Sequence, residues 1–85
     1  QYKIKTMPTL FILLGFRFSF FSNDHLPIHI HAIKGKIYAK IQVLPKVELI
    51  ENKGLTASEL KKVIGAVEEN KDIIIERWND FFNTK

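Results

Sequence analysis

The sequence contains no cysteine. Neither a disulfide framework nor a thiolate metal site can support its fold, so any metal would be held by His, Asp, Glu or Asn. Long hydrophobic runs are missing too. The stretch Leu10-Phe11-Ile12-Leu13-Leu14 stops at Gly15, far short of the about 20 residues a membrane-spanning helix needs. No longer apolar region with a small-residue cleavage site marks a signal peptide. Cytoplasm is therefore the expected location, with no membrane partner. There is no Gly-rich phosphate loop and no Ser/His/Asp set with a nucleophile elbow. Glu48, Glu51, Glu68 and Glu69 show no pairing of the glycosidase kind. Internal repeats, low-complexity tracts and linkers are also absent.

What is present fits one small globular domain. The 85 residues are 46% apolar, and seven are Phe, too apolar for a disordered chain. A chain of this size buries only about 60% of its unfolded surface, so self-association is one route to added stability, and a homodimer is expected. The net charge is +4. A modest basic excess suits nucleic acid or an acidic partner, but the lysines at 34, 36, 40, 46, 53, 61 and 62 are dispersed and read as solvated surface. Met7-Pro8-Thr9 reads as a natural start. Residues 1–6 are then an upstream extension, and residues 7–83 a single α+β domain.

The first half reads as strands. Leu10–Leu14 is apolar, Gly15-Phe16 is the expected turn, and Arg17–Phe21 alternates polar and aromatic side chains. Ser22–Pro27 is a loop rich in residues that bond their own backbone. Ile28–Ile33 alternates with period two, placing its Ile and His side chains on opposite faces. Lys34-Gly35-Lys36 is a hairpin turn, Ile37–Val43 the return strand, and Val47–Ile50 a short edge strand. The second half reads as helix. Thr56-Ala57-Ser58-Glu59 is a capping box, followed by Leu60, Val63, Ile64 and Val67 at helical spacing. Asn70 caps a second helix carrying Ile74, Ile75, Trp78, Phe81 and Phe82. Strands followed by helices give an α+β fold: a small antiparallel sheet of four to five strands, covered on one face by two C-terminal helices.

All three histidines lie between positions 25 and 31. His29 and His31 share a strand face opposite Ile28 and Ile30, so they are expected on the open side of the sheet or in a cleft. His25 can fold over the same side, and Asn23 and Asp24 add an amide and a carboxylate. Such a set binds a divalent metal through His25, His29 and His31, or performs acid/base chemistry with Asp24 orienting an imidazole. It can also contact phosphate or bases, with Lys34 and Lys36 beyond it. The structural alternative is a rigid loop whose imidazoles bond backbone carbonyls. Phe16, Phe18, Phe20 and Phe21 beside Arg17 read as core rather than as a base-stacking platform, and Trp78, Phe81 and Phe82 as a helix anchor.

The string Ser22-Asn23-Asp24-His25-x-Pro27-x-His29-x-His31 resembles the bacterial domain-of-unknown-function family 4160. Met7-Pro8-Thr9, Gly15-Phe16-Arg17-Phe18, Lys34-Gly35, Asn52-x-Gly54-Leu55, Glu68-Glu69-Asn70 and Trp78-Asn79-x-Phe81-Phe82 fit it as well, so the resemblance spans residues 7–82. Leu26 and Ile28 stand where many relatives have further prolines. The resemblance implies a small, often mobile-element-associated protein suspected of toxin–antitoxin-type roles, and it brings no catalytic mechanism. Two functions follow as expectations. One is an interaction module bound to a small cognate protein. The other is a His-dependent, nuclease-like or metal-binding effector using Asp24–His31.

Overall fold

A computed structural model describes residues 9–83. The expected extension over residues 1–6 and the Met7-Pro8 start lie outside the described residues. Five strands are followed by two helices: β1 (Thr9–Leu13), β2 (Phe16–Ser19), β3 (His29–Lys34), β4 (Ile37–Gln42), β5 (Glu48–Lys53), α1 (Ala57–Glu69) and α2 (Lys71–Phe82). This is the expected α+β class. Each strand pairs antiparallel with the next. The sheet is a meander in the order β1-β2-β3-β4-β5, with β3 at its centre.

Alternation along the strands sets the faces. Phe18 lies opposite Ala32, Ala32 opposite Ala39, and Ile30 opposite Ile41. These side chains and Phe16 are buried on one face, closed by Val63 and Val67 of α1 and by Ile74 and Trp78 of α2. In both helices the buried pair is spaced i, i+4, which puts it on one stripe. Trp78 meets Phe20 edge-on, with ring centroids 5.3 Å apart.

The local devices explain the boundaries. The Thr56 cap forms as read: the Glu59 N–H donates to Thr56 Oγ1 at 3.1 Å, and the Thr56 N–H donates to Glu59 Oε1 at 2.9 Å. The helix boundary also falls at Asn70, but its side chain serves α1 rather than α2. Asn70 Nδ2 donates to the Ala66 carbonyl at 2.8 Å, and no side-chain cap bond starts α2. The first turn is displaced by one residue. It is Leu14-Gly15, with φ of 58° and 79°, and Phe16 is a buried strand residue. A two-residue hairpin with both central φ positive matches the strand twist, and the shift also puts a large aromatic in the core. β5 runs through Lys53, beyond the expected end at Ile50. The Leu55 N–H donates to Asn52 Oδ1 at 2.9 Å, and Asn52 Nδ2 donates back to the Leu55 carbonyl at 3.2 Å. Between them Gly54 has φ of 97°, and a Cβ there would lie 2.8 Å from Ile37 Cγ2. Conformation and space both demand glycine.

Candidate functional site

His29 and His31 point away from the helix-covered face, as their spacing requires. They do not stand open, however: they are 6% and 3% exposed. The segment between β2 and β3 folds over this second face. Phe21 stacks on the His31 ring with centroids 3.7 Å apart and planes within 5°. At the start of β3 the cluster also meets the helical layer, where Trp78 of α2 comes within 5.4 Å of the His29 ring. The central strand is therefore covered on both sides, by helices on one and by its own preceding loop on the other.

That loop also aims Asp24 inward. The Asp24 N–H donates to the Phe21 carbonyl at 3.0 Å, and the Phe21 N–H donates to Asp24 Oδ2 at 2.8 Å. The Asp24 side chain is 7% exposed. Its Oδ1 lies 3.1 Å from His29 Nε2 and 3.0 Å from His31 Nε2. One ligand atom from each of the three residues falls within 4.8 Å of the others.

The other ring nitrogens decide what these contacts are. His29 Nδ1 lies 2.8 Å from the Pro27 carbonyl, which only accepts, so Nδ1 carries the proton. In the neutral ring Nε2 is then a lone pair facing a carboxylate oxygen. Two acceptors at that distance repel unless a proton or a metal cation is shared. His31 is more adaptable. Its Nδ1 is 2.8 Å from the Tyr38 hydroxyl, which both donates and accepts, so Nε2 can present either N–H or lone pair. Burial holds the His31 pKa below its ordinary 6.5, against the hydrogen bond and charge of Asp24, and the charges of His29 and Lys40 push the same way as burial. That shift favours the neutral form of His31, the form that can ligate a cation. Burial, then Glu51 and Asp24, raise the Tyr38 pKa and keep its hydroxyl protonated.

The remaining candidates are placed apart. His25 and Asn23 are exposed, on the rim of a cleft of about 450 Å3 that opens onto Asp24, His29 and His31. Lys34 and Lys36 belong to the hairpin at the far end of β3, and Lys34 Nζ lies 5.4 Å from the centre of the Phe16 ring. They do not join the histidines. Phe16, Phe18 and Phe20 are core, while Phe21 is a histidine-stacking residue. Tyr38 and Lys40 line the cleft and were missed from sequence. The two-residue hairpin held the signal, because it pairs His31 with Lys40 and Ile33 with Tyr38 on the histidine face. Ser19 Oγ, opposite His31 in the register, and Trp78 Nε1 are buried without a hydrogen-bond partner.

A five-stranded meander with a buried Asp-His-His cluster under an open cleft defines the class: a small α+β protein with a preformed polar site. The chain belongs to the family described as domain of unknown function DUF4160, whose model matches residues 15–79 and so takes in the whole cluster. No curated protein and no solved structure matches the chain. No helix among the described residues is long and apolar enough to cross a membrane.

Proposed function

We propose that this protein is a cation-dependent effector in which Asp24, His29 and His31 hold one divalent metal. One observation carries the reading: with its Nδ1 proton committed to Pro27, a neutral His29 ring sets a lone pair 3.1 Å from the Asp24 carboxylate, a repulsion that a shared proton or cation must relieve. A cation between them turns that repulsion into coordination. Ligands about 2.1 Å from a common ion, at tetrahedral to right angles, are themselves about 3.0–3.4 Å apart. The two Asp24–histidine separations, 3.1 and 3.0 Å, fall in that range, and all three ligand atoms lie within 4.8 Å of one another. A ligating histidine that donates its second nitrogen to a backbone carbonyl is the usual outer-shell arrangement. Two imidazoles and one carboxylate favour Zn2+, Fe2+, Mn2+ or Ni2+ over Ca2+ or Mg2+.

The test is metal content. Untagged protein, purified without chelator and dialysed against a metal mixture, should retain about one equivalent per chain. His29→Ala and His31→Ala should lose it while keeping the wild-type circular dichroism. Metal-free wild type that takes up nothing from micromolar Zn2+ or Mn2+ would sink the reading, and would make the cluster a proton-bridged ion pair.

A second reading rests on the edge strand β1. Ile12, Leu13 and Leu14 are 68%, 38% and 52% exposed, and Thr9–Leu13 carries no charge. The opposite edge, β5, is guarded by Glu48, Glu51 and Lys53. An uncharged apolar edge accepts a strand from another chain. That supports an interaction module: a homodimer, or one component of a two-protein system of toxin–antitoxin type.

A further inference from the structure

This inference rests on the cation reading and concerns what completes the cation's shell. Asp24 reaches the cluster from the loop and the histidines from β3, and the cleft lies beyond them. Three protein ligands leave coordination positions free for a bound molecule. We infer that this molecule is a phosphate monoester or inorganic phosphate, with a phosphoryl oxygen on the cation and Lys40 against its remaining charge.

Three observations select that chemistry. First, the polar groups on the cleft wall other than the cluster are donors or can donate: the Asn23 amide, His25, the Tyr38 hydroxyl and the Lys40 ammonium. Asp24 is the one carboxylate lining the cleft among the described residues. Glu51 is opposite Lys40 in the register but lies 3.4 Å from Lys53 Nζ instead. Second, the charges match a dianion. A divalent cation, one carboxylate and one ammonium sum to two positive charges. A carboxylate ligand would leave one of them uncompensated in a partly enclosed site, whereas a phosphate near neutral pH supplies both. Third, the same cleft sets an apolar wall against this donor-rich one. Leu26, Pro27 and Ile50 give the cleft an apolar wall suited to the organic half of a monoester.

The experiment uses the whole chain, stripped with chelator and reloaded with Mn2+, protein in excess over metal. Inorganic phosphate and adenosine monophosphate are added separately, and the phosphorus-31 linewidth reads their approach to the bound ion. The expected result is saturable broadening with the wild type. Lys40→Met should take up Mn2+ like the wild type but need about tenfold more phosphate for half-saturation, and Lys40→Arg should restore most of the loss. Stronger binding of the nucleotide than of inorganic phosphate assigns an organic monoester, and equal binding assigns the free ion. Wild type that binds Mn2+ without broadening either probe, or a Lys40→Met curve that overlays the wild type, overturns this inference alone. Wild type that takes up no Mn2+ overturns the cation reading and this inference together.

Discussion

At the residue scale the site is a matter of proton placement. His29 has one nitrogen committed to a carbonyl, His31 has one nitrogen on a hydroxyl that serves either way, and both share a single carboxylate. The sequence showed that these side chains share a strand face and that Asp24 is near. It could not show that Asp24, rather than His25, is the third member. That depends on the Phe21–Asp24 turn, in which an N–H to carboxylate bond and an N–H to carbonyl bond fix where the side chain points. The His31 shift gives a pH prediction for metal-free protein. The unfolded chain binds a proton at His31 near the ordinary value of 6.5, and the folded chain resists it because burial lowers that value. Protons therefore favour the unfolded state as pH falls below 6.5. The stability that comes from keeping His31 neutral is present above that value and is lost below it. Urea unfolding in chelator should show the midpoint falling between pH 7.5 and pH 5.5 more in the wild type than in His31→Phe. Equal falls would show that His31 does not contribute.

At the element scale the boundaries were largely legible, because capping and periodicity are local. The Thr56–Glu59 box and the i, i+4 stripes of α1 and α2 are written in short spacings. The misplaced first turn has a different cause. Glycine marks a positive φ, but the partner position is filled by Leu14, a residue type that gives no sign of it. A left-handed conformation costs a non-glycine L-residue about 1–2 kcal/mol, and Asn tolerates it better. Leu14 is half exposed, so little packing is lost on replacing it. Leu14→Asn should raise stability by about 0.5–1 kcal/mol in urea unfolding. A destabilised variant would mean that the exposed leucine packs against something more than the turn.

At the scale of the whole molecule, two surfaces compete to be the functional one. The covered second face holds the polar cluster, and the β1 edge holds the exposed apolar row. Coverage of the second face was not legible, since period-two alternation in β3 says which side chains part company but not what lies above them. The α+β order was legible because it depends only on which half carries which period. The edge makes its own prediction. Light scattering should give about twice the 9.9 kDa chain mass for the wild type, and Ile12→Lys should return it to the monomer while leaving metal uptake unchanged. A wild type that is monomeric and copurifies with no small partner would remove the interaction reading.

The central claim, that His29 and His31 offer lone pairs to a cation, is tested most directly by nitrogen-15 long-range correlation spectra of the imidazoles during Zn2+ titration. The predicted result is that His29 keeps its proton on Nδ1, that His29 and His31 Nε2 both move into the range of metal-bound nitrogen, and that the change is complete at about one equivalent. The exposed His25 should be unaffected. If His29 remains protonated on both nitrogens and neither Nε2 responds to Zn2+, the cluster is a buried ion pair that pins the loop to the sheet, and the cation account is contradicted.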